Sequence, residues 1–314
     1  MAGSQDIILH NYPQSPVAEK VRVVLGIKNV AWHSVKIPRL PPKPDVVKLT
    51  GGYRRTPIMQ IGADVYCDSQ CIIRELERRI PEPGLFPTSD AGFLWCLSRW
   101  ADGVYFDHAV KVVLGAPGDA LDPDFAADRG RLYMGPNWQE ALKAANAELP
   151  HYVAQLRTQL MWLDAQLSDG RAFLSGDQPA AIDAQVYYAV WFLRGRWAPG
   201  AAFISTMPHL DRWADRVKAI GNGKPSPMQA TTAAEIAAQA TPRTGLDIDD
   251  QDPQGLRLGD RVIVSPDVDG GEQPVEGAIS GLTSDTVTVW RQEPELGEIA
   301  VHFPRAGYKV SAAG

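Results

Sequence analysis

Within RRTPIMQIGADVYCDSQCIIR (Arg54–Arg74), two short motifs carry groups that can hold a peptide. The first is Thr56-Pro57, just ahead of an apolar run, Ile58–Ile61. A trans link there would cost a neighbouring ladder a donor, whereas a cis X-Pro link costs only about 0.5–1 kcal/mol and makes a sharp corner. Such a corner turns the N–H and C=O of Thr56 outward, where an extended peptide can pair with them as with a sheet edge. The second motif is Asp68-Ser69, which offers a carboxylate, a hydroxyl and a helix N-terminus. That set suits the α-amino and α-carboxylate ends of an amino acid. Singly these are a turn proline and a helix cap; together, at this separation, they are far more specific.

A third group is the hydroxyl of Ser15. In NYPQSP (Asn11–Pro16) a turn-rich stretch gives way to Val17, Val21, Val24 and Leu25 at helix spacing. Pro16 fits the first helical turn, where its missing N–H is harmless. Ser15 then falls at the N-cap, with its hydroxyl in the positive end of the helix dipole.

The elements that must position these groups follow from the pattern. Ile7–His10 and Ala31–Lys36 read as strands on either side of the first helix. Leu40–Pro44 is an irregular connection. Ile58–Ile61 and Val65–Tyr66, joined by a Gly62–Asp64 turn, form a hairpin. Asp68-Ser69 then opens a helix with Ile72, Ile73, Leu76 and Ile80 on one face, and Ser69, with Asp68 before it, satisfies that helix's free N–H groups. The order βαβ-ββα makes an α/β layer on a four-stranded sheet.

From about Ser89 the pattern is all-helical. Phe93, Leu97, Trp100, Ala101, Val104, Tyr105, His108 and Val112 form one stripe; Leu149, Tyr152, Val153, Leu156, Leu160, Leu163 and Leu167 form another. Ile182–Leu193 is apolar nearly all round, as a buried central helix is. Pro208–Val217 adds a short helix, and the whole reads as a bundle. Gly221–Gln254 reads as one short Ala-rich helix and a flexible linker. Beyond it, Arg261–Ser265, Gly277–Ser280, Thr286–Arg291 and Glu298–Phe303 alternate between turn residues, as in a small all-β barrel.

Composition bounds the rest. With 45% hydrophobic and 22% charged residues, 314 residues suffice for two or three globular domains. MAGSQDIILHNYP has no basic segment followed by an apolar one, so no signal peptide is expected, and no apolar run is long enough for a membrane span. Three cysteines, Cys67, Cys71 and Cys96, are an odd number without metal-ligand spacing, which suggests free thiols in a reducing cytoplasm. The net charge of −6 argues against nucleic acid. It is concentrated in residues 243–314, where thirteen acidic and six basic residues leave −7.

These residues resemble the glutathione transferase family. The N-terminal part is similar to its thioredoxin-like domain (1–87), and the next segment to its all-helical domain (88–228). The resemblance implies that Thr56, before a cis Pro57, pairs its backbone with the cysteinyl part of glutathione as co-substrate. It implies that Asp68 and Ser69 hold the γ-glutamyl end, and Arg55 falls where several classes place a polar side chain for the ligand. Ser15 matches the position of the activating serine in the Ser-type classes. A thiol of reference pKa about 8.5 is mostly protonated at neutral pH. A hydroxyl donating to sulfur, with a helix N-terminus aimed at it, stabilises the nucleophilic thiolate. Tyr12 is the competing hydroxyl, since tyrosine-type classes use one nearby.

The resemblance also implies a second pocket along the first long helix of the bundle, carrying Trp100, Tyr105 and Phe106. An aromatic stripe at helix spacing serves a core equally well; facing a cleft, it would take a small apolar electrophile. FLSGDQPAAIDAQVYY (Phe173–Tyr188) resembles the family's capping-box segment, but Ala180 stands where Ser or Thr is usual. A homodimer in the cytoplasm, with detoxification-type chemistry and no metal, nucleic acid or membrane partner, completes the expectation. Residues 229–254, a helix and linker, and 255–314 lie outside the resemblance. LRLGDRVIV is similar to the first strand of SH3-like barrels, and such an appendage leaves open a non-catalytic glutathione- or protein-binding adaptor on the same fold.

Overall fold

The computed structural model describes residues 3–87 and 91–313. The chain runs β1 (Ile8–Asn11), α1 (Pro16–Ile27), β2 (Ala31–Lys36), α2 (Pro44–Thr50), β3 (Ile58–Ile61), β4 (Asp64–Cys67) and α3 (Ser69–Arg79). It continues through α4 (Ala91–Trp100), α5 (Phe106–Gly115), α6 (Pro123–Met134), α7 (Trp138–Ala147), α8 (Leu149–Gln166), α9 (Ala181–Arg196), α10 (Gly200–Ser205) and α11 (Pro208–Ile220). The last part is β5 (Lys224–Met228), α12 (Ala230–Ala238), β6 (Arg261–Pro266), β7 (Val275–Leu282), β8 (Thr286–Glu293), β9 (Gly297–Pro304) and β10 (Tyr308–Ala312). Two compact units result: residues 3–18, 31–76 and 224–313, and residues 19–30 with the described part of 77–223. The expected boundary between 87 and 88, and the helical onset at Ser89, fall at residues 88–90, outside the described residues.

In the first unit the expected four strands are present, with β1 parallel to β2, antiparallel to β3, and β3 antiparallel to β4. The sheet does not stop there. Its order is β10-β6-β7-β8-β9-β4-β3-β1-β2-β5. The C-terminal strands, expected as a separate small barrel, extend this sheet: β9 lies parallel to β4 in the register Asp64↔Ala300 and Tyr66↔His302. At the other edge β5 lies parallel to β2. Its sequence KPSPM reads as a loop because proline removes ladder donors, and an edge strand is where alternate prolines are tolerated. One apolar core joins both halves of this unit, from Ile8, Val35 and Val65 to Val289, Val301 and Phe303.

The segment after α12, expected as a flexible linker, is held. The Arg243 N–H donates to Asp64 Oδ2 (3.0 Å), and the main chain at Asp247 and Asp249 bonds Leu282. The irregular connection at Leu40–Pro44 leads into α2, whose Val46 and Leu49 are buried.

In the helical unit the stripe expected from Phe93 to Val112 is not one helix. A π-turn at Ala101–Tyr105, with Gly103 at φ −95°, ψ −114°, separates α4 from α5 and shifts the buried face. Phe93 and Val104 consequently point to solvent, while Leu94, Ala101, Tyr105 and Phe106 are buried. α9 is buried over most of its length, as its composition requires. Ala180 has no side-chain acceptor, so only half a capping box forms. Asp183 compensates, accepting from the N–H groups of Leu174 (2.8 Å) and Ala180 (2.9 Å) and from Trp213 Nε1 (2.7 Å).

His10 lies in the sheet core, 1% exposed, with Nε2 2.9 Å from Gln60 Oε1. Burial outweighs that hydrogen bond and lowers its pKa to about 4. The unfolded chain therefore binds this proton first, at pH near 6.5, and the folded chain near 4. His10 should thus contribute full stability above pH 6.5 and lose about 3 kcal/mol as the pH falls to 4. Urea titrations of wild type and His10→Gln across this window check it; equal slopes would refute it.

Candidate functional site

The β3–β4 hairpin pairs Ile58 with Cys67 and Ile61 with Asp64, so it delivers its two ends, Pro57 and Asp68, to the same side of the turn. The Thr56-Pro57 bond is cis. Among the described residues neither the N–H nor the C=O of Thr56 has a main-chain partner. Its hydroxyl accepts from Lys43 Nζ at 3.2 Å.

At the other end Asp68 has φ +72°, a left-handed conformation that short polar side chains stabilise by bonding locally. Its Oδ1 accepts the Gln70 N–H at 2.9 Å, and its C=O the Ile72 N–H at 3.1 Å. Asp68 is therefore the cap of α3 and Ser69 its first residue, the reverse of the emphasis drawn from sequence. Ser69 is buried, as are Cys67 and Cys71, whose thiols burial pushes well above their ordinary range. Both cysteines act as small apolar groups.

Ser15 caps α1. Its Oγ accepts the Ala18 N–H at 3.1 Å and its N–H donates to Tyr12 O at 3.1 Å. It is 2% exposed. Because the capping bond uses an oxygen lone pair, the hydroxyl proton is still there to donate. Tyr12, also buried, belongs to the apolar core, with Lys43 Nζ 5.5 Å from its ring centroid.

Several residues at this site were not legible as such. Lys43 is buried and bonds both Arg54 O (3.2 Å) and Thr56, bringing a cation to the cis-proline corner. Its only sequence signal is the surrounding PPKP, which reads as loop. The C-terminal segment supplies four more contacts. Arg55 pairs with Glu272 and donates to Val268 O (3.1 Å). Tyr308 donates to Asp68 Oδ2 (3.1 Å) and lies 3.3 Å from the Tyr53 hydroxyl. Burial, then the Asp68 charge, raises both tyrosines well above the usual phenol range, so both keep their protons. Nothing local in the sequence links position 272 or 308 to a site over two hundred residues earlier.

In the helical unit Tyr105 and Phe106 are core residues: Tyr105 donates to Val186 O (3.4 Å), and Phe106 packs on Tyr133, Tyr188 and Phe192. Trp100 is half-buried and stacks on Tyr105, with ring centroids 4.9 Å apart. Among the described residues no group of three or more His, Cys, Asp or Glu is arranged to hold a metal, and no helix is long and apolar enough to cross a membrane.

A thioredoxin-like layer with a cis-proline corner, followed by a helical unit, is the architecture of glutathione transferases, and the comparisons agree. Residues 9–84 match the glutathione S-transferase N-terminal domain and residues 72–216 the glutathione S-transferase C-terminal domain. A GST-like protein from Pseudomonas syringae is 34% identical, with 98% of this chain and 100% of that chain covered and a TM-score of 0.79. The chain belongs to the glutathione S-transferase family. Two more distant structures share the fold. A Tau class glutathione S-transferase from mango (Mangifera indica) is 16% identical, covering 74% of this chain and 97% of its own, with a TM-score of 0.52. The beta-etherase LigF from Sphingobium is also 16% identical, covering 68% and 96%, with the same TM-score. No curated protein sequence matches the chain.

The cap at Ser15 makes a stability prediction of its own. Ser15→Ala leaves the Ala18 N–H without its acceptor and should cost about 1 kcal/mol. Urea unfolding followed by tryptophan fluorescence measures this; a change below a few tenths would show the cap to be idle.

Proposed function

We propose that this protein is a Ser-type glutathione transferase that adds the glutathione thiolate to a small apolar electrophile. The observation that carries the proposal is the state of Ser15: its oxygen is engaged by the helix, its proton is not, and it stands at a helix N-terminus. A glutathione sulfur receiving that proton's hydrogen bond is stabilised as thiolate. In this reading Thr56, beside Pro57, aligns the cysteinyl backbone; Asp68 and Ser69 hold the γ-glutamyl end; and Arg55 faces the glycyl carboxylate, with Lys43 a second cation nearby. Trp100, backed by Tyr105 and Phe106, is assigned to the electrophile's pocket in the helical unit.

The reaction needs only positioning and ionisation. The thiol gives up its proton, sulfur forms a bond to the electrophilic carbon, and the displaced group or carbanion leaves or is protonated. A homodimer in the cytoplasm belongs to the same proposal, as does the reading of residues 255–314 as an SH3-like barrel fused along β4. A binding-only adaptor is the second reading, favoured by the contacts that this C-terminal segment makes to Arg55 and Asp68. Retention on immobilised glutathione without turnover of any electrophile in a broad panel would select it.

Ser15→Ala should lower turnover about 10–100-fold at pH 6.5, matching a thiol pKa shift of one to two units, with glutathione affinity nearly unchanged. Ser15→Thr should restore most of it. The defect should narrow above pH 8.5, where the thiol ionises unaided. Steady-state kinetics against pH decide: equal turnover in wild type and Ser15→Ala refutes the role, and the same pH-dependent defect in Tyr12→Phe but not in Ser15→Ala would transfer it to Tyr12.

A further inference from the structure

The residues facing the two ends of the proposed peptide ligand are both already touched by the C-terminal strands. At one end the loop between β6 and β7 lies against Arg54-Arg55. Arg54 donates to Gly270 O (2.8 Å), Arg55 donates to Val268 O (3.1 Å), and the Arg55 guanidinium pairs with Glu272. The Glu272 side chain is 2% exposed while that of Arg55 is 28% exposed. The approach is close enough to need a glycine. Gly52 has φ +149°, and a Cβ there would stand 2.7 Å from Gln273 O. At the other end Tyr308 donates to Asp68, and Gln70 Nε2 to Ala306 O at 3.4 Å.

The two ends differ in what is left for a ligand. An ionised carboxylate offers about four lone-pair sites, so Asp68, with the Gln70 N–H and the Tyr308 hydroxyl on it, still has acceptor capacity for an ammonium group. Arg55 is different. Its charge is opposed by a buried carboxylate, and a second carboxylate brought to it would meet Glu272 as a like charge at close range with little water between them.

We propose that Glu272 is a specificity-determining residue of the thiol-ligand site, discriminating against a free carboxylate on the ligand end that faces Arg55. This rests on the glutathione reading above, and it names the ligand class more narrowly: a γ-glutamyl thiol whose far end is better tolerated as a neutral ester or amide than as an acid. Lys43 favours the acid over the ester by the same factor in wild type and variant, so the change in the affinity ratio between the two isolates Glu272.

The test compares binding of glutathione and its glycyl monoethyl ester by isothermal titration calorimetry, in the full-length wild type and in Glu272→Gln. Glutamine keeps the hydrogen bond to Arg55 and removes the charge. The affinity ratio of acid to ester should rise at least five-fold in Glu272→Gln, and the rise should shrink in high salt. A ratio unchanged within two-fold, with both ligands bound, overturns the role of Glu272 and leaves the glutathione reading intact. In the wild type alone, acid bound tighter than ester also overturns it, whether or not the variant folds. Binding of neither form overturns the glutathione reading, and this inference with it.

Discussion

The parallel pairing of β4 with β9 is the constraint on which the first unit depends. β4 would otherwise be an unprotected edge, with a row of unpaired main-chain groups beside the helix cap at Asp68. A parallel partner cannot come from a hairpin; it must return through a long connection, and here the return follows the whole helical segment. The register is locked by side chains. His302 stacks on Tyr66 with centroids 4.3 Å apart, its Nε2 lies 2.7 Å from Asp64 Oδ1, and its Nδ1 lies 2.9 Å from Thr288 Oγ1. A slip of one residue would turn His302 to the opposite face and leave Asp64 buried without that partner. Satisfied buried networks of this kind specify one arrangement more strongly than apolar contacts do.

That joint explains the uneven charge of the chain. The acidic surplus of the C-terminal segment is directed at basic residues of the N-terminal layer: Glu272 at Arg55, Asp285 at Arg74, and Glu295 at Lys48. The last two pairs are exposed, and such pairs contribute little stability but do favour correct docking. The Arg55 pair is the exception, because its acidic member is buried. A charge balance that looks like a mere exclusion of nucleic acid in the sequence is, in three dimensions, complementarity within one unit.

The helical unit shows the same economy at a different scale. Lys20, 1% exposed, pairs with Asp102 in the π-turn, with its Nζ 4.4 Å from the ring centroid of Tyr188; Tyr188 in turn donates to Asp102 (3.0 Å) and lies 3.0 Å from Ala101 O. A buried lysine is tolerated only with such a partner. The break at Gly103 ends the register of α4 and starts α5 afresh, with Tyr105 and Phe106 both in the core.

Sequence by itself determined the local chemistry: the Thr56-Pro57 corner, the cap at Ser15, the helix opening at Asp68, the buried α9, and four of the five C-terminal strands. Each depends on residue type over a few neighbouring positions, where proline geometry, capping and periodicity act. Tertiary structure alone decided what met those groups. Lys43 reaches Thr56 through the turn into α2, whereas Glu272 reaches Arg55 and Tyr308 reaches Asp68 because a distant segment completes a sheet edge, and no local propensity encodes a partner over two hundred residues away. The same holds for β5, whose prolines hide a strand that only an edge position permits, and for the π-turn, where packing around Lys20 and Tyr188 overrides the helical period.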